Sequence, residues 1–246
     1  MKKNKAFFVP FVLAAALFFT TCGLDTFYIV DPPTTVIHEP VYTSTDFSAN
    51  YFNFISAIYT GPSSFNFLGT AVYYRIYASA STMLSRQSSI SAVNTSGDYS
   101  AAALRMIGYG YQQLNTAAGN IQPLISDQGA NVYIRLCNYG DENNPSNEYR
   151  ALIGYIDKTP RRTVSVSGVP KTFDFGRHDN PKYNNPELYA LPVSGDEDFE
   201  SGTVENNKYY VDLYAVAVGR DVTYTTYYSQ VLHLGSIPID ASAENN

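Results

Sequence analysis

The chain has 246 residues, a formal net charge of −6, 22 Tyr, 14 Phe, no Trp and two cysteines. Its length suits one elaborated domain or two small ones. An acidic chain with no block of Lys or Arg argues against nucleic-acid binding, because phosphate contacts need clustered cations.

The first element is an export signal. Lys2, Lys3 and Lys5 make a basic head, Ala6 to Phe19 an apolar run, and Thr20-Thr21-Cys22-Gly23 a small-residue end. The run is shorter than the ~20 apolar residues of a spanning helix and carries Pro10, so it reads as a secretory signal cut before Cys22. Removing residues 1–21 leaves 13 Lys+Arg against 22 Asp+Glu, a net charge of −9. Cys137 is then the sole cysteine besides Cys22, which leaves no internal disulfide and makes a packed core responsible for stability. Cys137 falls in an alternating run, with Arg135 on the same strand face.

Phe19-Thr20-Thr21-Cys22 resembles a lipobox, the recognition site of the lipoprotein signal peptidase, in the looser form of spirochaete lipoproteins. The resemblance implies acylation of Cys22, palmitate included, and a lipid anchor in the cell envelope. Two or more acyl chains make such an anchor stable. Gly23, rather than Asp, after the cysteine permits outer-membrane sorting, by resemblance to other diderm lipoproteins.

Residues 22–50 read as a lipidated N-terminus and tether, with Thr35-Val36-Ile37 a candidate edge strand. Short period-two runs rich in Tyr, Val, Ile, Phe and Thr then predict strands near 51–59, 71–78, 131–139, 149–156, 163–167, 171–175, 208–218 and 223–234. Turn clusters lie at Gly61-Pro62-Ser63-Ser64, at 140–145 and at Asp179-Asn180-Pro181. The stretch 79–96 is Ser-rich and reads as low complexity. One helix is expected from Ser100 to Leu114, with Leu104, Ile107, Tyr111 and Leu114 on its buried face and Asp98 or Ser100 as cap.

In KYYVDLYAVAVG, Tyr209, Val211, Leu213, Ala215 and Ala217 share one strand face, and Tyr210, Asp212 and Tyr214 the other. The cost of burying a charge assigns the Asp212 face to water. Tyr followed at +2, +4 and +6 by Val, Leu and Ala resembles the sixth strand of a fibronectin type III domain. Residues 228–234 resemble its last strand, and VYYRIY at 72–77 its third, with Val72, Tyr74 and Ile76 inward. The resemblance implies a mainly β chain, an immunoglobulin/fibronectin III-like β-sandwich over 51–240 with a helical insertion at about 79–160 and a tail at 241–246. The Trp that such domains usually bury is missing. A small N-terminal domain followed by a separate sandwich is the alternative division.

Chemistry-bearing motifs are sparse. His38, His178 and His233 show no metal-ligand spacing, no Gly-x-Ser-x-Gly elbow is present, and no Gly-rich phosphate loop follows a strand. The acidic run Asp196, Glu197, Asp198, Glu200 offers hard oxygens, so Asp196, Asp198 and Glu200 are the candidate Ca²⁺ ligands. The run lacks the turn Gly and distal Glu of an EF-hand and otherwise reads as a solvated loop. No cofactor is implied. Tyr73, Tyr77, Tyr210 and Tyr214 point outward on this reading, as cross-strand pairs or as a patch contacting a protein or glycan. The expectation is a non-catalytic, lipid-anchored binding or structural protein. The alternatives are a solute-binding lipoprotein of a transporter, or a hydrolase.

Overall fold

The computed structural model describes residues 28–119, 122–138, 149–175 and 186–241. Residues 1–21, Cys22, His178, the turn clusters at 140–145 and 179–181 and the tail beyond 241 lie outside the described residues. Among the described residues the elements run β1 (Thr35–His38), β2 (Phe52–Ile55), β3 (Asn66–Tyr77), α1 (Ala80–Ser91), α2 (Ala101–Gly108), β4 (Gln112–Gln113), β5 (Asn115–Thr116), β6 (Asn131–Arg135), β7 (Leu152–Ile153), β8 (Pro160–Arg161), β9 (Ser165–Val166), β10 (Val169–Pro170), β11 (Phe199–Glu200), β12 (Lys208–Arg220) and β13 (Thr226–Asp240).

The protein is mainly β, with several antiparallel sheets and two helices. One sheet has the order β1-β2-β6-β7; the larger has the order β11-β3-β12-β13, with β4 also on β3. Its long pairs are antiparallel, and Val211 faces Ile76 on one side and Ile237 on the other. The short β11 joins β3 in parallel at Ile76 and Tyr77. Two small two-stranded sheets, β5-β8 and β9-β10, complete the set.

Period two explains the first core. Phe52, Phe54, Val132 and Ile134 pack against Val72, Tyr74, Ile76, Val211, Leu213 and Ala215, which is the inward face expected for β3 and β12. The expected edge strand at Thr35-Val36-Ile37 forms as β1. The chain already packs from Tyr28 and Val30, which join Ala57, Phe65, Ala217 and Tyr227 in a cluster of their own. Cys137 is buried in the first core, where its thiol meets the Phe173 carbonyl at 3.2 Å.

The outward face of β3 and β12 corrects the expectation that it is wet. Ala71, Tyr73, Tyr77, Tyr214, Val216 and Val218 form a second core with Met83 and Ile90 of α1 and Ala102, Ala103 and Met106 of α2. Burial on both faces makes β12 a near-continuous apolar run, as in any sheet covered on two sides.

Helix α1 occupies the Ser-rich stretch. Serine is a mediocre helix former, so this helix rests on packing along Met83, Gln87 and Ile90, one stripe at helical spacing. Helix α2 is shorter than expected. It ends before Gly110, whose φ is +81° and where a Cβ would lie 2.2 Å from the Arg75 guanidinium. Leu104 is exposed and Leu114 belongs to the first core, so the buried stripe of α2 is Ala102, Ala103 and Met106. Asp98 accepts the Ser100 amide at 3.2 Å just before the helix. Residues 171–175 are buried but not a strand; the pairing instead joins β9 to β10 across Ser167 and Gly168. Within the expected insertion, β6 pairs with β2, while α1, α2 and β4 cover or extend the other sheet.

Candidate functional site

Asp212 lies at the centre of the second core and is 0 % exposed. Its carboxylate, borne on β12, collects donors from α1, β13 and the loop after α2. Oδ1 accepts from Gln87 Nε2 at 2.9 Å, from His233 Nε2 at 2.8 Å and from Ser236 Oγ at 2.8 Å. Oδ2 accepts from the Tyr111 hydroxyl at 2.5 Å. The Gln87 amide also donates to Ser236 Oγ at 2.8 Å. A buried carboxylate this fully hydrogen-bonded is a tolerable charge, whereas an unpaired one is not.

The countercharge is His233. Glu39 Oε1 approaches its Nδ1 at 3.4 Å, so the ring lies between two carboxylates. Glu39 gets there because Gly235 has φ +108° and no Cβ; one would stand 2.8 Å from the Pro40 carbonyl. Burial works against the imidazolium. The hydrogen bond and charge of Asp212, helped by Glu39, outweigh it and raise the His233 pKa. Burial beside Asp212 pushes the Tyr111 and Tyr214 hydroxyls up, and burial pushes Tyr77 up, so all three stay protonated.

A cleft of about 280 Å³ opens over this cluster, between α1 and β13. Leu84, Gln87 and Asn94 line one side, and Tyr214, Val231 and His233 the other. Asn94 fixes the wall, because its side-chain amide exchanges both hydrogen bonds with the Val231 backbone, at 2.9 and 3.0 Å, as a neighbouring strand would.

The acidic run at 196–200 is tied to arginine side chains. Asp198 is buried and takes a two-pronged contact from Arg162, at 2.9 and 2.7 Å, plus the Tyr74 hydroxyl at 2.6 Å. Asp196 takes Arg162 Nη2 at 2.6 Å. Glu200 turns to Arg86 at 2.7 Å and Arg75 at 3.7 Å. The candidate calcium ligands are thereby divided between arginines, and among the described residues no group of three acidic, His or Cys side chains is placed to hold a metal.

The expected tyrosine patch is also revised. Tyr73, Tyr77 and Tyr214 are buried under the helices, and burial raises the Tyr73 pKa to about 12. Of the four, Tyr210 alone keeps partial exposure, with its ring edge-on to Tyr42 at 6.0 Å. His233 is satisfied by Asp212. Sequence reasoning missed Glu39, Gln87, Tyr111, Ser236 and Arg162. The available signal was Gln87 at +4 from Met83 and −3 from Ile90, a polar residue inside an apolar helical stripe.

Among the described residues these features define a mainly β protein with two buried carboxylate clusters and a cleft above one of them. Comparison with family models, with characterised proteins and with solved structures gave no match.

Proposed function

We propose that the chain is an exported protein, anchored in the outer membrane by lipid on Cys22, whose β domain binds a protein or glycan partner and does not catalyse. The wiring of the Asp212 cluster carries the binding reading. Ser, His and Asp are all present, but Ser236 donates to Asp212 and both His233 nitrogens face carboxylates. A nucleophile needs the base within reach of its own hydroxyl, which this order of contacts does not supply. The cleft is at the small end for ligand sites and suits one inserted side chain or sugar ring. Among the described residues no helix is long and apolar enough to cross a membrane, so the reading places attachment in the acyl chains.

The sheet orders also support an immunoglobulin/fibronectin III-like reading. β1-β2-β6 corresponds to the first sheet of that fold and β3-β12-β13 to its second. The departures are β7, which follows β6 in the chain, the helical layer, and the missing Trp.

Protein extracted with its anchor and offered to envelope fractions should capture a partner. Ser88→Trp, which fills the cleft from α1, should abolish capture without changing thermal unfolding. Hydrolysis of ester, peptide or glycosidic substrates that disappears in His233→Ala would overturn the binding reading. Cys22→Ser should move the protein from the detergent phase to the aqueous phase; an unacylated wild-type N-terminus by mass spectrometry would overturn the anchor.

A further inference from the structure

The turn between β12 and β13 holds two apolar side chains in water. Val222 is 74 % exposed and Tyr224 81 %, the most of any large apolar side chains among the described residues. The display is rigidly built. Asp221 Oδ1 accepts the Thr223 and Thr225 amides at 2.8 and 2.9 Å and the Thr223 hydroxyl at 2.7 Å, and Tyr224 sits at φ +65°. An L residue other than Asn or Asp is seldom held there, so the turn carries backbone strain to keep Tyr224 facing outward.

An aromatic cluster lies at the same end. Tyr28, the first described residue, stacks on Phe65 with centroids 4.9 Å apart and meets Tyr227 edge-on at 5.7 Å. Arg220 pairs with both Thr226 and Asn66, so Phe65, Tyr227 and the turn share that end of the sheet. Ile29 and Ile58 add exposed apolar surface there. Tyr28 follows Cys22 by six positions in the sequence, a reach of roughly 20 Å when fully extended.

We propose that this end is a membrane-contact face, with Val222 and Tyr224 entering the headgroup region of the bilayer that holds the lipid. The proposal rests on the lipid-anchor reading of Cys22. Tyr suits that depth because its ring is apolar and its hydroxyl can stay wet. Arg220, exposed at the base of the turn, is placed to meet a lipid phosphate. The anchor already confines the domain to the surface, so a small apolar contact suffices to set its orientation. Exposed Asp127, the partly exposed Asp31 and a net charge of −9 for residues 22–246 favour a zwitterionic over an anionic surface.

The absence of Trp makes the test site-specific. Acylated protein carrying Tyr224→Trp is reconstituted in phosphatidylcholine vesicles with and without brominated acyl chains, and compared with Val193→Trp. Val193 is exposed in the loop before β11, which pairs at the opposite end of β3. Indole emission from the Tyr224→Trp protein should shift to the blue and be quenched by the brominated lipid, whereas emission from the Val193→Trp protein should do neither. Vesicle flotation separates the two ideas. Tyr224→Trp protein that floats with its indole unquenched overturns the contact face alone; acylation-competent protein that fails to float overturns the anchor and the contact face with it. A blue shift that follows protein density and ignores bromine would identify a second copy as the occupant and overturn the membrane assignment.

Discussion

Asp198 and Asp212 are two fully buried carboxylates, the first hydrogen-bonded to β3 and the second borne on β12, and their countercharges differ. Asp198 is neutralised by Arg162, itself fully buried, in a two-pronged contact with the ring of Phe175 5.6 Å from the guanidinium carbon. Asp212 is neutralised by His233, which is partly exposed at a cleft and shared with Glu39. A guanidinium stays charged at any ordinary pH, whereas an imidazole titrates near neutrality. The first cluster therefore acts as a permanent tie between the 196–200 loop, β3 and the 162–163 segment. The second ties α1, β12 and β13 in a way that pH can loosen, and of the two it is the one beneath the cleft.

The largest effect should come from the permanent tie. Arg162→Met leaves the buried Asp198 without its cation and should cost about 3–5 kcal/mol in chemical denaturation, since breaking a buried pair strands a charge. Equal tolerance of Arg162→Met and of a surface substitution would show that the loop simply opens to water. Tyr214→Ser should cost a similar ~3–5 kcal/mol, because it empties a ring site between Tyr111 and His233. Tyr210 and Tyr214 therefore do not act together at the surface: the doubly substituted protein should lose stability before it loses a partner.

Asp212→Asn keeps the shape and removes the charge. It should cost about 1.5–3 kcal/mol, the scale of hydrogen bonds to a charged group, read as a shift in denaturation midpoint at constant slope. The pH dependence is smaller and has a definite sign. His233 titrates higher in the folded chain than in the unfolded one, so the folded state binds the proton more tightly. The stability this adds is complete below the unfolded value of about 6.5 and is lost as pH rises through the folded value. His233→Gln should flatten that slope in thermal unfolding, and an unchanged slope would assign it to another group. Val222→Ser, at the outer end, should change stability by no more than about 0.5 kcal/mol.

The legible part of the fold was the part governed by period two. Val72, Tyr74, Ile76, Val211, Leu213 and Ala215 face the inter-sheet core as their alternation predicts, because a strand side chain has only two faces to choose between. The illegible part was what covers the second face. Asp212 marked that face as polar, yet Val216 and Val218 on the same face made the strand apolar on both sides. Of the two helices that cover it, α1 carries an apolar stripe diluted by serine. The candidate site was hidden for the same reason: Glu39, Gln87, Asp212 and His233 come from four separated stretches of chain, and their spacing in sequence carries no chemistry.

What the sequence determined by itself is the β-rich class and the inward face of the long strands. Both depend on local order along the chain, where hydrophobic period is directly visible. Only the tertiary structure decided that Asp212 and three of the four candidate tyrosines are buried, that Arg162 meets Asp198 and Asp196, and that Val222 and Tyr224 stand out at the end of the sheet that holds Tyr28. Those outcomes depend on which elements cover one another. A charge will enter a core when donors from a helix, a strand and a loop converge on it, and no local pattern records that convergence.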